Sequence, residues 1–284
     1  MIGLAVVLDA HVHVWDLSRR PYDWITAAVL QRSFGLDDYV GTAKEVILVQ
    51  ALTDPAETAD LLALADERRS VVYGVIGSLG SGDAAAGRLA ALAAGPGGDL
   101  LVGIRVPAAA LTRSLLRLAG SAGLTVDVLA NPVDVPAVVS KARQHPEVVV
   151  VLDHLAGLVV GGTAWRSELA TLTTTGATNV SYKFSGLTTR GPGGRTPDRE
   201  LLAEATATLL TAVGAERLLF GSDWPVALLG TSDPFALART ALIDAGADSA
   251  VVRQVMGATA RAVYRAAVSP EPLIPAGLSE GHDL

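Results

Sequence analysis

Eight apolar runs of strand length are spaced along this chain, and stretches of helical patterning lie between them. The runs fall at 6–14, 45–52, 71–79, 100–106, 124–129, 148–154, 179–184 and 217–221. Several are continuously apolar rather than alternating, the pattern of parallel strands covered on both faces. The stretches 55–69, 84–94, 111–122, 135–145, 163–175 and 198–213 read as helices, several opening at Pro, Asp, Ser or Thr. Strand and helix alternating over about 260 residues predict an α/β fold, a (β/α)8 TIM barrel. An open doubly wound sheet would carry Gly-x-Gly-x-x-Gly after an early strand, and this chain has none there. A single barrel domain over 1–268 follows, with 269–284 as a C-terminal tail.

Composition removes several function classes. Half of the 284 residues are hydrophobic and 18% are charged, which suits a folded chain with one sizeable core. The net charge of -7, with no run of Lys and Arg, argues against binding nucleic acid. The absence of Cys excludes disulfides, thiolate zinc sites and a Cys nucleophile. No Gly-x-Ser-x-Gly elbow is present, which argues against a Ser-His-Asp hydrolase. The start of the chain lacks the basic segment of a signal peptide, and no run of about 18 apolar residues reads as a membrane span. A soluble, cytoplasmic protein with a small-molecule substrate is the expectation; self-association is left open.

The first strand holds two of the five histidines, His11 and His13. Residues two apart on a strand share a face and lie about 7 Å apart along it, close enough for both rings to reach one metal ion or one substrate group. The competing reading is a pair of satisfied core histidines. A barrel that does chemistry at one rim should gather polar residues at the C-terminal ends of its strands. Gln50 stands at the end of the second run, Arg105 of the fourth, Asp127 within the fifth and Asp153-His154 at the sixth. Lys183 and Ser185 come with the seventh, and Ser222-Asp223-Trp224-Pro225 follow the eighth. One charged residue after a strand is usually a helix N-cap, but seven strand ends of this kind point to a site. Trp15 and Trp224 flank the histidine and aspartate motifs, as pocket walls or as buried packing. Two long connections, 16–42 and 185–199, leave strand ends where they could act as lids.

The segments LDAHVHVWD, VLDHLAGL, NVSYKFSGL and RLLFGSDWPV, in that order, resemble the amidohydrolase superfamily. Within it they are similar to the family of sugar-lactone and 2-pyrone-4,6-dicarboxylate hydrolases (L-fuconolactonase-like, amidohydrolase 2), over nearly the whole chain. The resemblance implies a hydrolase that opens a lactone or related cyclic ester. Asp223 would activate water, while His11, His13 and His154 would polarise the carbonyl or bind one metal. Arg105 and Lys183 would be substrate-binding cations, with Gln50, Asp127, Trp15 and Trp224 beside the substrate. The implied cofactor is none or one divalent ion, zinc foremost, on His11 and His13 with Asp223 and His154 as further ligands. Two departures bear on the substrate. Val106 stands where relatives often carry His, and Gly77-Ser78-Leu79-Gly80 replace a Trp and an Asp, which favours a larger or less polar substrate. A decarboxylase on the same scaffold and a ligand-binding homologue without catalysis are the alternatives.

Overall fold

The computed structural model of the chain describes residues 7–80, 84–174 and 176–264; the expected tail at 269–284 lies outside them. Eight parallel strands form one sheet in sequence order: β1 Leu8–Val12, β2 Glu45–Val49, β3 Val72–Gly77, β4 Leu101–Pro107, β5 Thr125–Leu129, β6 Val150–Leu152, β7 Val180–Phe184 and β8 Leu218–Phe220. The last strand returns to the first. Val12 bridges Trp224, the His13 N–H donates to the Trp224 carbonyl at 2.7 Å, and the Asp223 N–H donates to the His11 carbonyl at 2.9 Å. This is the (β/α)8 barrel expected from the pattern.

Around it lie α1 Pro55–Glu67, α2 Ala85–Ala94, α3 Arg113–Ser121, α4 Val135–Arg143, α5 Trp165–Thr173, α6 Arg199–Val213 and α7 Pro234–Asp244. The side chains of Asp54, Thr112, Asp198 and Asp233 accept backbone N–H groups and so start α1, α3, α6 and α7. Strict alternation fails once. The crossover from β1 to β2 contains only two 3-10 turns, Ala28–Leu30 and Leu36–Asp38, and no α-helix. Trp15, Tyr22, Ile25, Leu30 and Phe34 are buried there and fill that part of the outer layer. The last described element is a helix that passes from α8 Ser249–Arg253 through a π turn to α9 Thr259–Val263.

Two apolar layers follow from strand alternation. One lies between strands and helices. The other, inside the barrel, comprises Leu8, Ala10, Ile47, Val49, Ile76, Val102, Val151 and Leu219, with Ala260 of the last described helix and Tyr264 just after it. The pairing of β1 with β2 shifts register between Asp9 and Val12. Ala10 belongs to the inner layer and Val12 to the outer, so the bulge between them turns two successive side chains, Ala10 and His11, inward. Asp9, which plain alternation would place beside His11 and His13, instead faces outward to Tyr39 of the first crossover.

Candidate active site

Four side chains meet at the C-terminal mouth of the barrel. The Nε2 atoms of His11, His13 and His154 stand 3.7, 3.6 and 3.9 Å from Oδ1 of Asp223, and the first two lie 3.1 Å from each other. All four residues are buried. His13 is fixed by its Nδ1, which bonds the Val49 carbonyl at 2.7 Å, and that leaves Nε2 facing the centre. His154 is fixed by Nδ1 on Ser185 Oγ at 2.8 Å. His154 and Asp223 both occupy left-handed backbone, at φ 52° and 63°. Such conformations are rare outside glycine and cluster at functional sites. Here they turn each side chain off the end of its strand and back over the mouth. Neither Asp223 nor Asp153 caps a helix with its side chain.

Two glycines make room. A Cβ on Gly221 would fall 2.6 Å from the His11 Cβ, and one on Gly186 would fall 3.2 Å from His154 Nδ1 and 3.5 Å from Asp223 Oδ2. The Gly221→Ala variant is therefore expected to push His11 out of register. Overpacking of this kind costs about 1–3 kcal/mol, and activity should fall by a larger factor than stability alone explains. Thermal unfolding set beside kcat measures both; a variant with wild-type kcat would show that His11 does not need this position.

Beneath the mouth lies a charged layer. Lys183 is wholly buried, with Nζ 2.5 Å from Asp127 Oδ2, 3.2 Å from Asp153 Oδ1 and 3.0 Å from His11 Nδ1. Tyr264 donates to Asp127 from below, at 2.9 Å to Oδ2. Arg105 donates through Nε to Asp153 Oδ2 at 2.6 Å and through Nη1 to the Gln50 carbonyl at 3.2 Å. Lys183 and Asp127 thus stand under the histidines, paired with each other, while Arg105 spans from β4 towards Gln50. The Oε1 of Gln50 is buried and has no hydrogen-bond partner among the described residues. Trp15 donates Nε1 to the Arg32 carbonyl at 2.8 Å and packs edge-on against Phe34. Trp224 packs edge-on against Phe34 and Tyr39. Both tryptophans join the first crossover to the rim.

The electrostatics divide the centre into a base and neutral rings. Burial pushes the Asp223 carboxyl up, but the three imidazoles around it outweigh burial and hold it well below the usual carboxylate range. Burial pulls His154 down to about 4, against the raising influence of Asp223 and Asp153. Burial and the neighbouring Lys183 together push His11 well below its ordinary value. Asp223 is therefore ionised at neutral pH, beside uncharged His11 and His154. In the layer below, burial raises Asp127 to about 6 against the pull of Lys183. Asp153, with both Lys183 and Arg105 beside it, is held well below the usual range despite its burial.

Pattern reading passed over two residues. Asp9 accepts the backbone N–H groups of His11 at 3.2 Å and Ser222 at 2.8 Å, and the Tyr39 hydroxyl at 2.8 Å. It thereby ties the strand-one histidines to the segment that carries Asp223. Arg190, in the connection from β7 to α6, feels the charges of Asp223 and Asp153, and its Nε is buried without a hydrogen-bond partner among the described residues. One Arg in a Gly- and Pro-rich loop resembles any other; Arg195 nearby is exposed. Only tertiary contact separates them.

The donor atoms suit a metal by spacing. Ligand atoms 2.0–2.2 Å from a tetrahedral ion stand about 3.4 Å apart, and the separations within His11, His13 and Asp223 run from 3.1 to 3.7 Å. His11, Asp153 and His154 form a second possible grouping.

The family model described as Amidohydrolase matches residues 8–266. An L-fucono-1,5-lactonase of Burkholderia ambifaria is 32% identical over 244 residues, covering 78% of this chain and 81% of that protein. An L-fucono-1,5-lactonase of Burkholderia multivorans is 32% identical over 259 residues, covering 80% of this chain and 85% of that protein. The crystal structure of a Burkholderia multivorans amidohydrolase with bound zinc superposes with a TM-score of 0.75 at 28% identity, covering 92% of this chain and 99% of that one.

Proposed function

The chain belongs to the amidohydrolase family, and from that premise we propose that it hydrolyses a lactone or a related cyclic ester. One observation carries the reading: an ionised carboxylate, Asp223, sits among three imidazole Nε2 atoms at 3.6–3.9 Å. Such a carboxylate is a base for water, and the imidazoles are the groups placed to meet an oxyanion. A water molecule beside Asp223 attacks the ring carbonyl carbon while the carboxylate takes one of its protons. The carbonyl oxygen gains negative charge beside the His11 and His154 rings. The C–O bond of the ring then breaks, and Asp223 returns its proton to the leaving oxygen, regenerating the carboxylate. Arg190, whose buried Nε has no hydrogen-bond partner among the described residues and which feels the charge of Asp223, is available to an oxygen substituent on the substrate. A divalent ion such as zinc would be held by His11, His13 and Asp223 and would act there as a Lewis acid on the carbonyl.

Proton release over a panel of aldonolactones, pyrones and bulkier lactones, followed with a pH indicator, tests the proposal. Ring opening without gas is expected. Carbon dioxide release from carboxylated analogues, with no lactone turned over, would replace it with decarboxylation. Binding without turnover of any compound would leave a ligand-binding homologue.

The pH profile carries a second expectation. Asp223 is held below the usual range, so within the Asp223–His154 pair His154 gains a proton first, and its charging should lower kcat/KM as pH drops through about 4. Stability should move earlier. In the unfolded chain His154 titrates near 6.5, and in the fold near 4, so between those values the unfolded state binds the extra proton. This contribution is fully present above 6.5 and is lost progressively as pH falls towards 4. Urea unfolding at a series of pH values reads the second effect, and a His154→Gln variant should flatten that part of the curve.

A further inference from the structure

Seven junctions of the barrel wall, from β1 with β2 to β7 with β8, are paired strand ladders. The eighth, where β8 returns to β1, has no ladder among the described residues. The wall is closed there by the bridge from Val12 to Trp224 and by two backbone bonds, His13 N–H to the Trp224 carbonyl and Asp223 N–H to the His11 carbonyl. Both sides of this seam carry the site: His11 and His13 on one, Asp223 with its left-handed backbone on the other. The distance from the base to two of its three imidazoles is therefore set where the barrel has least strand pairing. Asp9 sits at that seam. Its Oδ1 accepts the His11 N–H at 3.2 Å and the Ser222 N–H at 2.8 Å, one donor from each side. Its Oδ2 accepts the Tyr39 hydroxyl at 2.8 Å. Tyr39, near the end of the first crossover, also packs edge-on against Trp224, with ring centroids 5.6 Å apart. Asp9 is wholly buried, and a polar group taken out of water is held by the partners it keeps.

We propose that Asp9, held by Tyr39, is a positioning residue: its carboxylate stands in for the strand pairing that the seam lacks and sets Asp223 against the strand-one histidines. It faces away from the mouth and meets no substrate, so it acts only through the backbone of residues 11 and 222. The outward turn of Asp9 at the bulge in β1 is what allows one carboxylate to reach both sides. Tyr39 extends the same control to the first crossover, whose aromatic residues reach the rim through Trp224. The kinetic part of this proposal rests on the hydrolase reading. The structural part does not, so failure of the lactone panel and failure of the seam are separate outcomes.

Hydrogen exchange followed by mass spectrometry tests the seam without a substrate. In Asp9→Ala, exchange should quicken about tenfold in peptides spanning 9–14 and 218–227, the worth of a lost hydrogen bond, and stay unchanged in β4 and β5. Protection lost evenly round the barrel, or not lost at all, would overturn the proposal. Kinetics on a turned-over lactone supply the second readout. Asp9→Ala should lower kcat about 10²-fold, the cost of misplacing a reacting group by about 1 Å, and leave KM nearly unchanged. Asp9→Asn, whose amide oxygen still accepts both N–H groups, should recover most of that loss. Val138→Ala, a truncation of a buried residue on α4, is the control for stability alone: it should lower Tm and leave kcat as it is. A wild-type kcat in Asp9→Ala, or an equal loss in Val138→Ala, would reduce Asp9 to a support of the fold. Should Asp9→Ala fail to fold, Tyr39→Phe carries both readouts, with faster exchange in the same peptides and kcat lower by about twofold to tenfold. Should no lactone be turned over, the exchange result decides alone.

Discussion

Replacing Asp223 by Asn is expected to lower kcat for ring opening by about 10²–10⁴-fold, the range that a lost general base commands, while the fold survives. Asn has nearly the same shape and is among the few residues that tolerate left-handed backbone, which position 223 requires at φ 63°. The backbone bond from residue 223 to the His11 carbonyl, at 2.9 Å, involves no side chain and is unaffected. What changes is basicity: an amide cannot take a proton from water. The surrounding imidazoles also lose the anion that Asp223 presents to each of them within 4 Å. A small change in KM is expected, because the carboxylate is assigned to the attacking water rather than to the substrate. Steady-state kinetics on the best lactone of the panel, with circular dichroism to confirm folding, measure this. A variant within tenfold of wild type would remove Asp223 from the role of base.

The second large effect concerns stability. Lys183→Met is expected to cost about 3–5 kcal/mol, the usual result of removing one partner from a buried ion network. The lysine is the cation between two buried carboxylates, and its loss leaves them facing each other with Arg105, Tyr264 and the His11 ring to meet their oxygens. Asp127 already stands near 6 with Lys183 beside it, so without the ammonium it should be protonated at neutral pH. Asp153 keeps the Arg105 bond at 2.6 Å and should remain ionised. Adding Asp127→Asn to Lys183→Met removes one of the stranded carboxyls and should recover a measurable part of the loss. Urea unfolding of wild type, both single variants and the double variant forms a cycle that isolates the coupling. Additive losses would mean that the short contact between Lys183 and Asp127 contributes nothing specific.

The barrel itself was legible in the chain. Parallel strands buried on both faces must be apolar throughout, and crossovers between them must be long enough to hold helices, so runs such as 71–79 and 148–154 with helical stretches between them leave few alternatives. The family was legible too, because His-x-His on the first strand and Gly-Ser-Asp-Trp-Pro after the last lie at opposite ends of the chain and only a closed barrel makes them neighbours. That His11, His13, His154 and Asp223 converge follows from strand ends sharing one rim. Other features were out of reach of any pattern. The first crossover lacks a helix because its aromatic residues cover the strands by side-chain packing, which carries no period. The bulge in β1 depends on how β1 pairs with β2, so parity alone groups Asp9 with the two histidines when it faces the other way. Lys183 and Asp127 look like rim residues by position, yet they are wholly buried and paired with each other below the histidines. Arg190 gains meaning only from lying beside Asp223. Periodicity and motif order are properties of the chain, and they determined fold and family. Which backbone N–H meets which carboxylate, and which cation faces which carboxylate, are relations between residues as far apart as Asp9 and Ser222, and only packing in three dimensions decides them.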